Sequence, residues 1–227
     1  MKEHPILMSA PMIRALLAGT KTQTRRLVTW QGPKSHPHYF DRAFTDNPAG
    51  VRRLCVPHHH PQDADAGRDE RGNLNPCHRH YPRWEKGDRL WVKETWARRL
   101  DEDHLRASQL TGHWAWYWAD PQTANTGCAG AAGKRRPSIF MPRRASRITL
   151  TVTEEPTPQR LQDITEEDAG AEGIVPVGDG WGIAGGKSYR NARNAYRALW
   201  TEINGIYEPK GWDFNPWVWR IAFARLP

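Results

Sequence analysis

Apolar and polar positions alternate periodically over a few short stretches of this chain, and long polar stretches separate them. His4 to Met8 is an apolar run that predicts a strand. Ser9 then stands where a helix cap belongs, Pro11 occupies the first turn, and Met12, Ile13, Leu16 and Leu17 form a helical stripe that Gly19 ends. Thr20 to Val28 starts polar and finishes apolar, as a turn passing into a strand does. After Lys86-Gly87-Asp88, Leu90, Trp91 and Val92 predict another strand, and His113 to Trp118 predicts one with Trp114, Trp116 and Trp118 on a single face. Within Ser146 to Glu154, Ile148, Leu150 and Val152 alternate with Arg147, Thr149 and Thr151, the pattern of a half-buried strand. Thr165, reaching forward to Asp168, caps a short helix that Gly173 closes. The clearest helix runs from Ser188 to about Asn204, with Ala192, Tyr196, Leu199 and Ile203 on one face and Lys187, Arg190, Arg193 and Arg197 on the other. Trp217 to Leu226 alternates as a last strand.

Strands separated by short helices, without a repeated strand-then-helix unit, predict an α+β fold: a small mixed barrel with flanking helices. From Gln31 to about Glu85 the periodicity dissolves into Pro, Gly, Asn, Asp and His, so residues 31–85 read as a loop-rich insertion in a single domain spanning residues 1–227. Gly127 to Gly133 and Pro176 to Gly186 read as glycine-rich loops.

Composition narrows the function classes. With 33 Lys plus Arg against 25 Asp plus Glu, the net charge of +8 favours a polyanionic partner. Twelve tryptophans against five phenylalanines put most of the aromatic mass into flat side chains with a polar N–H, suited to cores and to stacking on bases. No apolar run approaches the roughly 20 residues that cross a bilayer, and Met1 to Met8 lacks the pattern of a secretory signal, so a cytoplasmic protein without a membrane partner is expected. Three cysteines exclude a disulfide scaffold. Cys128, in a glycine-rich loop, reads as inert.

Three groups of residues could carry chemistry. In Gly19-Thr20-Lys21-Thr22-Gln23-Thr24-Arg25-Arg26, Lys21 could deprotonate the Thr24 hydroxyl if desolvation or the adjacent arginines lower its pKa. A straight strand would point the two side chains opposite ways, so the pairing requires a bend just after Gly19. Arg25 or Arg26 could hold a phosphate or an oxyanion. In the insertion, Cys55-x-x-His58 and Cys77-x-x-His80 have the spacing of a structural zinc site, which would order a segment without a core; His59, His60 and His78 compete as ligands. Finally, Arg-Arg pairs at 25/26, 52/53, 98/99, 135/136 and 143/144, together with Arg190, Arg193 and Arg197 near Tyr189 and Tyr196, suit RNA or another nucleic acid.

Several of these segments resemble a known family. Leu17-Ala18-Gly19 followed by Lys21 to Arg26, Gly87-Asp88-Arg89-Leu90-Trp91-Val92-Lys93-Glu94-Thr95-Trp96, Pro137 to Pro142 with Ala145-Ser146-Arg147-Ile148, Leu161 to Ala169 with Gly173-Ile174, and Asn215-Pro216-Trp217-Val218-Trp219 are similar to ASCH-domain proteins of the phage and prophage type. The resemblance implies a PUA-like β-barrel whose cleft takes RNA or modified bases. One branch of that family is an amidohydrolase that removes the acetyl group of N4-acetylcytidine with a lysine, a threonine and a glutamate and no catalytic cofactor. Those residues fall on Lys21, Thr24 and Glu172 of this sequence. Glu172 is otherwise an unremarked acid in the last turn of a helix, where the dipole mildly disfavours it. The implied activity is acyl removal from an N4-acylated cytidine or related base; a non-catalytic reader of RNA or modified nucleic acid is the alternative, and a ribonuclease comes third. No His-His or metal-carboxylate constellation recommends the nuclease. The spacing says nothing of oligomeric state.

Overall fold

The computed structural model describes residues 1–29, 54–57, 77–105, 115–120, 132–207 and 209–227, with backbone pairing alone for 54–57 and 77–80. The strands, in chain order, are β1 (Glu3–Leu7), β2 (Gln23–Leu27), β3 (Leu54–Pro57), β4 (Cys77–His80), β5 (Arg89–Lys93), β6 (Trp96–Ala97), β7 (Trp116–Tyr117), β8 (Thr149–Val152), β9 (Thr157–Arg160), β10 (Val175–Val177), β11 (Gly180–Gly182) and β12 (Trp217–Arg225). The α-helices are α1 (Ala10–Leu17), α2 (Glu166–Ala171) and α3 (Ala192–Asn204).

The architecture is α+β, built on a curled, mixed six-stranded sheet of order β1-β5-β8-β12-β2 with β9 also on β12. Only β1 and β5 run parallel; the other pairs are antiparallel. The curl has a local cause in β12. One edge of this strand carries β2 along Val218 to Ala222, while the other carries β9 along Trp217 to Arg220 and then β8 along Phe223 to Arg225. Residues 153–156 therefore face only Ile221 and Ala222, and such an excess of residues on one strand bends the pair.

Alternation along β12 divides the core in two. Trp219, Ile221 and Phe223 point into the cluster of Ile6, Leu90, Val92, Ile148, Leu150 and Val152, which α1 covers with Ile13 and Leu16. Val218 points the other way, into a cluster with Leu161, Ile164, Ile174, Trp212 and the buried faces of α2 and α3. The β2 strand crosses this divide, pairing Thr24 with Ile221 and Arg25 with Arg220.

Several expected elements are present with shifted limits. The Thr165 cap is made, its hydroxyl accepting the Asp168 N–H at 3.1 Å. The arginine-bearing helix starts at Ala192, because Asn191 takes the cap position and accepts the Asn194 N–H at 2.8 Å; Lys187 and Arg190 thus precede it. Ile203, expected on its apolar face, is 47% exposed, and Ala195 and Trp200 are buried there instead. Of the expected tryptophan strand, residues 113 and 114 lie outside the described residues; β7 holds Trp116 and Tyr117, and the chain turns at Trp118, whose N–H donates to Thr95 O. The 176–186 loop contains the β10–β11 hairpin, and the 31–85 insertion contains the antiparallel pair β3–β4. No helix among the described residues is long and apolar enough to cross a membrane.

Candidate functional site

The site is assembled where β2 leaves α1. The chain turns at Gly19, whose φ of 76° suits a residue without a Cβ. Lys21 N–H donates to Ala15 O at 3.2 Å, Thr22 N–H donates to Ala171 O at 2.8 Å, and Lys21 forms an isolated antiparallel bridge with Glu172. The start of β2 is thus wedged between β12 and the C-terminal end of α2. Glu172 is the C-cap of α2, so its side chain and its own carbonyl lie together at a helix end that lacks intrahelical partners.

Lys21 meets both. Its ammonium donates to Glu172 Oε2 at 2.7 Å and to Glu172 O at 2.9 Å. Arg25 donates from Nη1 to Glu172 Oε1 at 3.1 Å and from Nη2 to Asp168 Oδ2 at 2.6 Å. Gln159, with its amide oxygen turned toward Arg25, accepts from Nε and Nη2 at 2.6 and 2.9 Å. Gln23 donates to both Asp168 O and Asp168 Oδ1, each at 2.9 Å. The side chains of Lys21 and Arg25 are 0% exposed and that of Glu172 is 1% exposed. Ions so buried are tolerated because two cations face two carboxylates and the geometry supplies the hydrogen bonds that water would have made. Burial pushes the Lys21 ammonium below the ordinary lysine range, and the Glu172 carboxylate opposes the shift.

Gly173 makes the close approach possible. Its φ is 98°, and a Cβ placed there would meet Ala15 Cβ at 2.8 Å and Lys21 Cβ at 3.4 Å. Substitution Gly173→Ala is expected to cost about 1–3 kcal/mol through backbone strain alone, and to move α1 or Lys21 besides. Urea unfolding measures this, and an unchanged midpoint would contradict it.

Beside the ion cluster lies a cavity of about 50 Å³ lined by Met12, Thr24, Arg25, Arg26, Leu27, Glu172, Tyr196, Leu199, Trp200, Ile203 and Asn204. The bend after Gly19 exists, but Thr24 makes no hydrogen bond with Lys21 or Glu172. Lys21 precedes β2 and bridges Glu172, while Thr24 lies within the strand opposite Ile221.

No family model, curated protein or solved structure matches this chain.

The site is therefore read from its own geometry. Of the arginines expected at a substrate, Arg25 is committed to Glu172, Asp168 and Gln159, and Arg26 donates from Nη2 to Leu7 O at 2.6 Å. Arg193 donates to Gln162 O at 2.6 Å, and Arg197 pairs with Asp213 at 2.9 Å on the exposed surface. Arg190 and Arg197 lie with Lys187 and Arg14 along an open groove of about 1050 Å³ on the other side of α3. These three arginines do not join the Lys21 cluster. Among the expected zinc ligands, His58 lies outside the described residues; Cys55, Cys77 and His80 fall on β3 and β4, where Cys55 pairs with Arg79 and Cys77 with Pro57. Cys128, expected to be inert, also lies outside the described residues. Among the described residues no group of three or more Cys, His, Asp and Glu is placed to hold a metal ion.

Sequence reading missed Asp168, Gln23 and Gln159 as members of the cluster, and Tyr196 as a wall of the cavity. The one available signal was Asp168 itself. Only its backbone N–H is used by the Thr165 cap, which leaves the carboxylate free to take Arg25 and Gln23.

Proposed function

We propose that the protein is an amidohydrolase of the ASCH type, on a PUA-like barrel, that removes an acyl group from N4-acylated cytidine or a related modified nucleobase. The observation that carries this reading is the buried Lys21–Glu172 pair, 2.7 Å apart, beside a cavity that Thr24 also lines. A lysine whose pKa burial has lowered spends more of its time as the free amine, the form that can accept a proton. In the first step the Thr24 oxygen bonds to the acyl carbon while its proton passes to Lys21. The C–N bond then breaks, and the ammonium returns that proton to the departing N4 amine. Water, deprotonated by the same lysine, then adds to the acyl carbon of the threonine ester; the ester C–O bond breaks, the acid leaves, and the Lys21 ammonium returns the proton to the Thr24 oxygen. Glu172 holds Lys21 in place and sets its pKa. Catalytic hydrogen bonds often close only around substrate, and this scheme requires the Thr24 hydroxyl to reach Lys21 there, directly or through one water. No metal enters the chemistry; a zinc ion on Cys55, His58, Cys77 and His80 is proposed solely as a clamp for the insertion.

Incubation of the pure protein with a panel of N4-acylated cytidines, followed by absorbance, tests the reading. Turnover should rise with pH along a limb that sits below the ordinary lysine range. In Glu172→Gln the limb should move to still lower pH, because the carboxylate is what holds the Lys21 pKa up. A limb that stays in place would remove Lys21 as the base.

One observation favours a second reading. Two of the three Lys21 donors are spent on Glu172, and Thr24 is not bonded to Lys21, which suits a cleft that binds a modified base in RNA or a nucleoside without turning it over. That reader would bind with a strong salt dependence when the base is presented in a polymer, and would release no acid.

A further inference from the structure

Tyr196 is the buried titratable group of the cavity that this chemistry leaves unused. It stands on the buried face of α3 at 3% exposure, its ring 6.3 Å from the centroids of both Trp200 and Trp212, with the Arg25 guanidinium 5.9 Å from its own centroid. Packing of that kind needs only the ring, and phenylalanine would supply it. The hydroxyl is additional. It makes no hydrogen bond among the described residues and, unlike Arg26 Nε, it is not sealed away from the cavity that Tyr196 lines.

Most of the other donors around the cavity are engaged. Arg25 is spent on Glu172, Asp168 and Gln159; Trp200 donates to Lys210 O at 2.8 Å; Asn204 donates to Trp200 O at 3.2 Å; and Arg26 donates to Leu7 O, its buried Nε having no acceptor. Thr24 and Tyr196 also line the cavity, and neither hydroxyl has a partner among the described residues. An acyl transfer needs both a nucleophile and a donor for the oxygen that becomes negative as the nucleophile adds. With Thr24 as the nucleophile, Tyr196 is the neutral hydroxyl that remains to supply the donor. Burial, reinforced by the Glu172 carboxylate, raises the phenol well above its ordinary range, so it keeps its proton at any working pH.

We propose that the Tyr196 hydroxyl donates a hydrogen bond to the acyl oxygen of the substrate and stabilises the charge that forms there. This rests on the amidohydrolase reading above. As the Thr24 oxygen bonds to the acyl carbon, the carbonyl electron pair moves onto the oxygen facing Tyr196, and it moves back when the C–N bond breaks. The phenol gives up no proton at any step.

The test is Tyr196→Phe, which keeps the ring, its burial and its contact with Arg25. On N4-acetylcytidine its kcat should fall by about 10²-fold, the loss typical of one oxyanion donor, while KM and the thermal midpoint stay close to wild type. Wild-type kcat in the variant would overturn the assignment while leaving the amidohydrolase reading intact. A fall in kcat that tracks a lost thermal midpoint would overturn it too, by making Tyr196 a packing residue. Absence of turnover in the wild-type protein under the same assay would overturn the amidohydrolase reading itself, and the oxyanion role with it.

Discussion

Thr24→Ala and Lys21→Met should each reduce acyl release from an N4-acylated cytidine by about 10²–10⁴-fold, the range that loss of a nucleophile's base or of the nucleophile itself produces. The two variants attack different atoms of one step, so combining them should cost little more than either alone. Lys21→Met keeps the aliphatic stem in its buried slot, and Glu172 retains Arg25 at 3.1 Å, so the fold has a route to survive. Lys21→Arg is the sharper control. A guanidinium can still pair with Glu172, but it cannot be deprotonated in a protein. If Lys21 served only as a counter-ion, the arginine variant would retain most of its activity; as the base, it should be as inactive as Lys21→Met. Full activity in the arginine variant, or in Thr24→Ala, would end the proposed mechanism. Thermal unfolding run alongside separates lost chemistry from lost fold.

What could be read in advance follows from the range of the interactions involved. β5, β8 and β12 carry their burial in their own alternation, as Leu90, Leu150 and Ile221 at 0% exposure show, and the Thr165 cap is made between residues three apart. The β10–β11 pair is harder to read, because Val175–Val177 and Gly180–Gly182 are only three residues each, too short for a period to declare itself in the sequence. The site divides in the same manner. Lys21 and Glu172 are separated by 151 positions, and only resemblance joined them; nothing local announces that Gln159 or Tyr196 would meet Arg25.

The excess of arginine and tryptophan also acquires a structural meaning. Arg98 and Arg136 flank the Trp96 ring at 5.7 and 5.6 Å, Arg160 lies 4.6 Å from the Trp217 centroid, Arg143 lies 6.0 Å from that of Trp91, and Arg147 sits 4.0 Å over Tyr117 while pairing with Glu94 and Asp120. Much of the basic charge that composition assigns to a polyanion is thus engaged with aromatic faces and carboxylates of the protein itself. Trp96 and Trp219 are core residues at 1% and 4% exposure, not platforms for bases.

Removal of the Glu172 carboxylate should have the largest effect on stability. Glu172→Ala leaves the Lys21 and Arg25 side chains, both 0% exposed, around an empty space, and breaking a buried ion pair from one side costs about 3–5 kcal/mol. Arg25 keeps Asp168 at 2.6 Å and cannot lose its proton, so the strain falls on Lys21. In the intact protein the carboxylate opposes the downward push of burial on the Lys21 pKa; without it that pKa drops further. Between the lowered folded value and the ordinary value near 10.5, the unfolded chain binds a proton that the folded chain does not, so stability must rise with pH across that window. The slope can approach about 1.4 kcal/mol per pH unit. Urea unfolding of Glu172→Ala in neutral and in mildly alkaline buffer should therefore show a deficit that shrinks as the buffer becomes alkaline, and shrinks faster than any change in wild type. Lys21→Met/Glu172→Leu removes the charge pair as a unit and should recover most of the loss, since apolar groups of similar volume replace buried pairs at little cost. If the double variant, which fills the space as well as removing the ammonium, is as unstable as Glu172→Ala, the penalty does not come from the stranded ammonium, and the electrostatic account of this cluster fails.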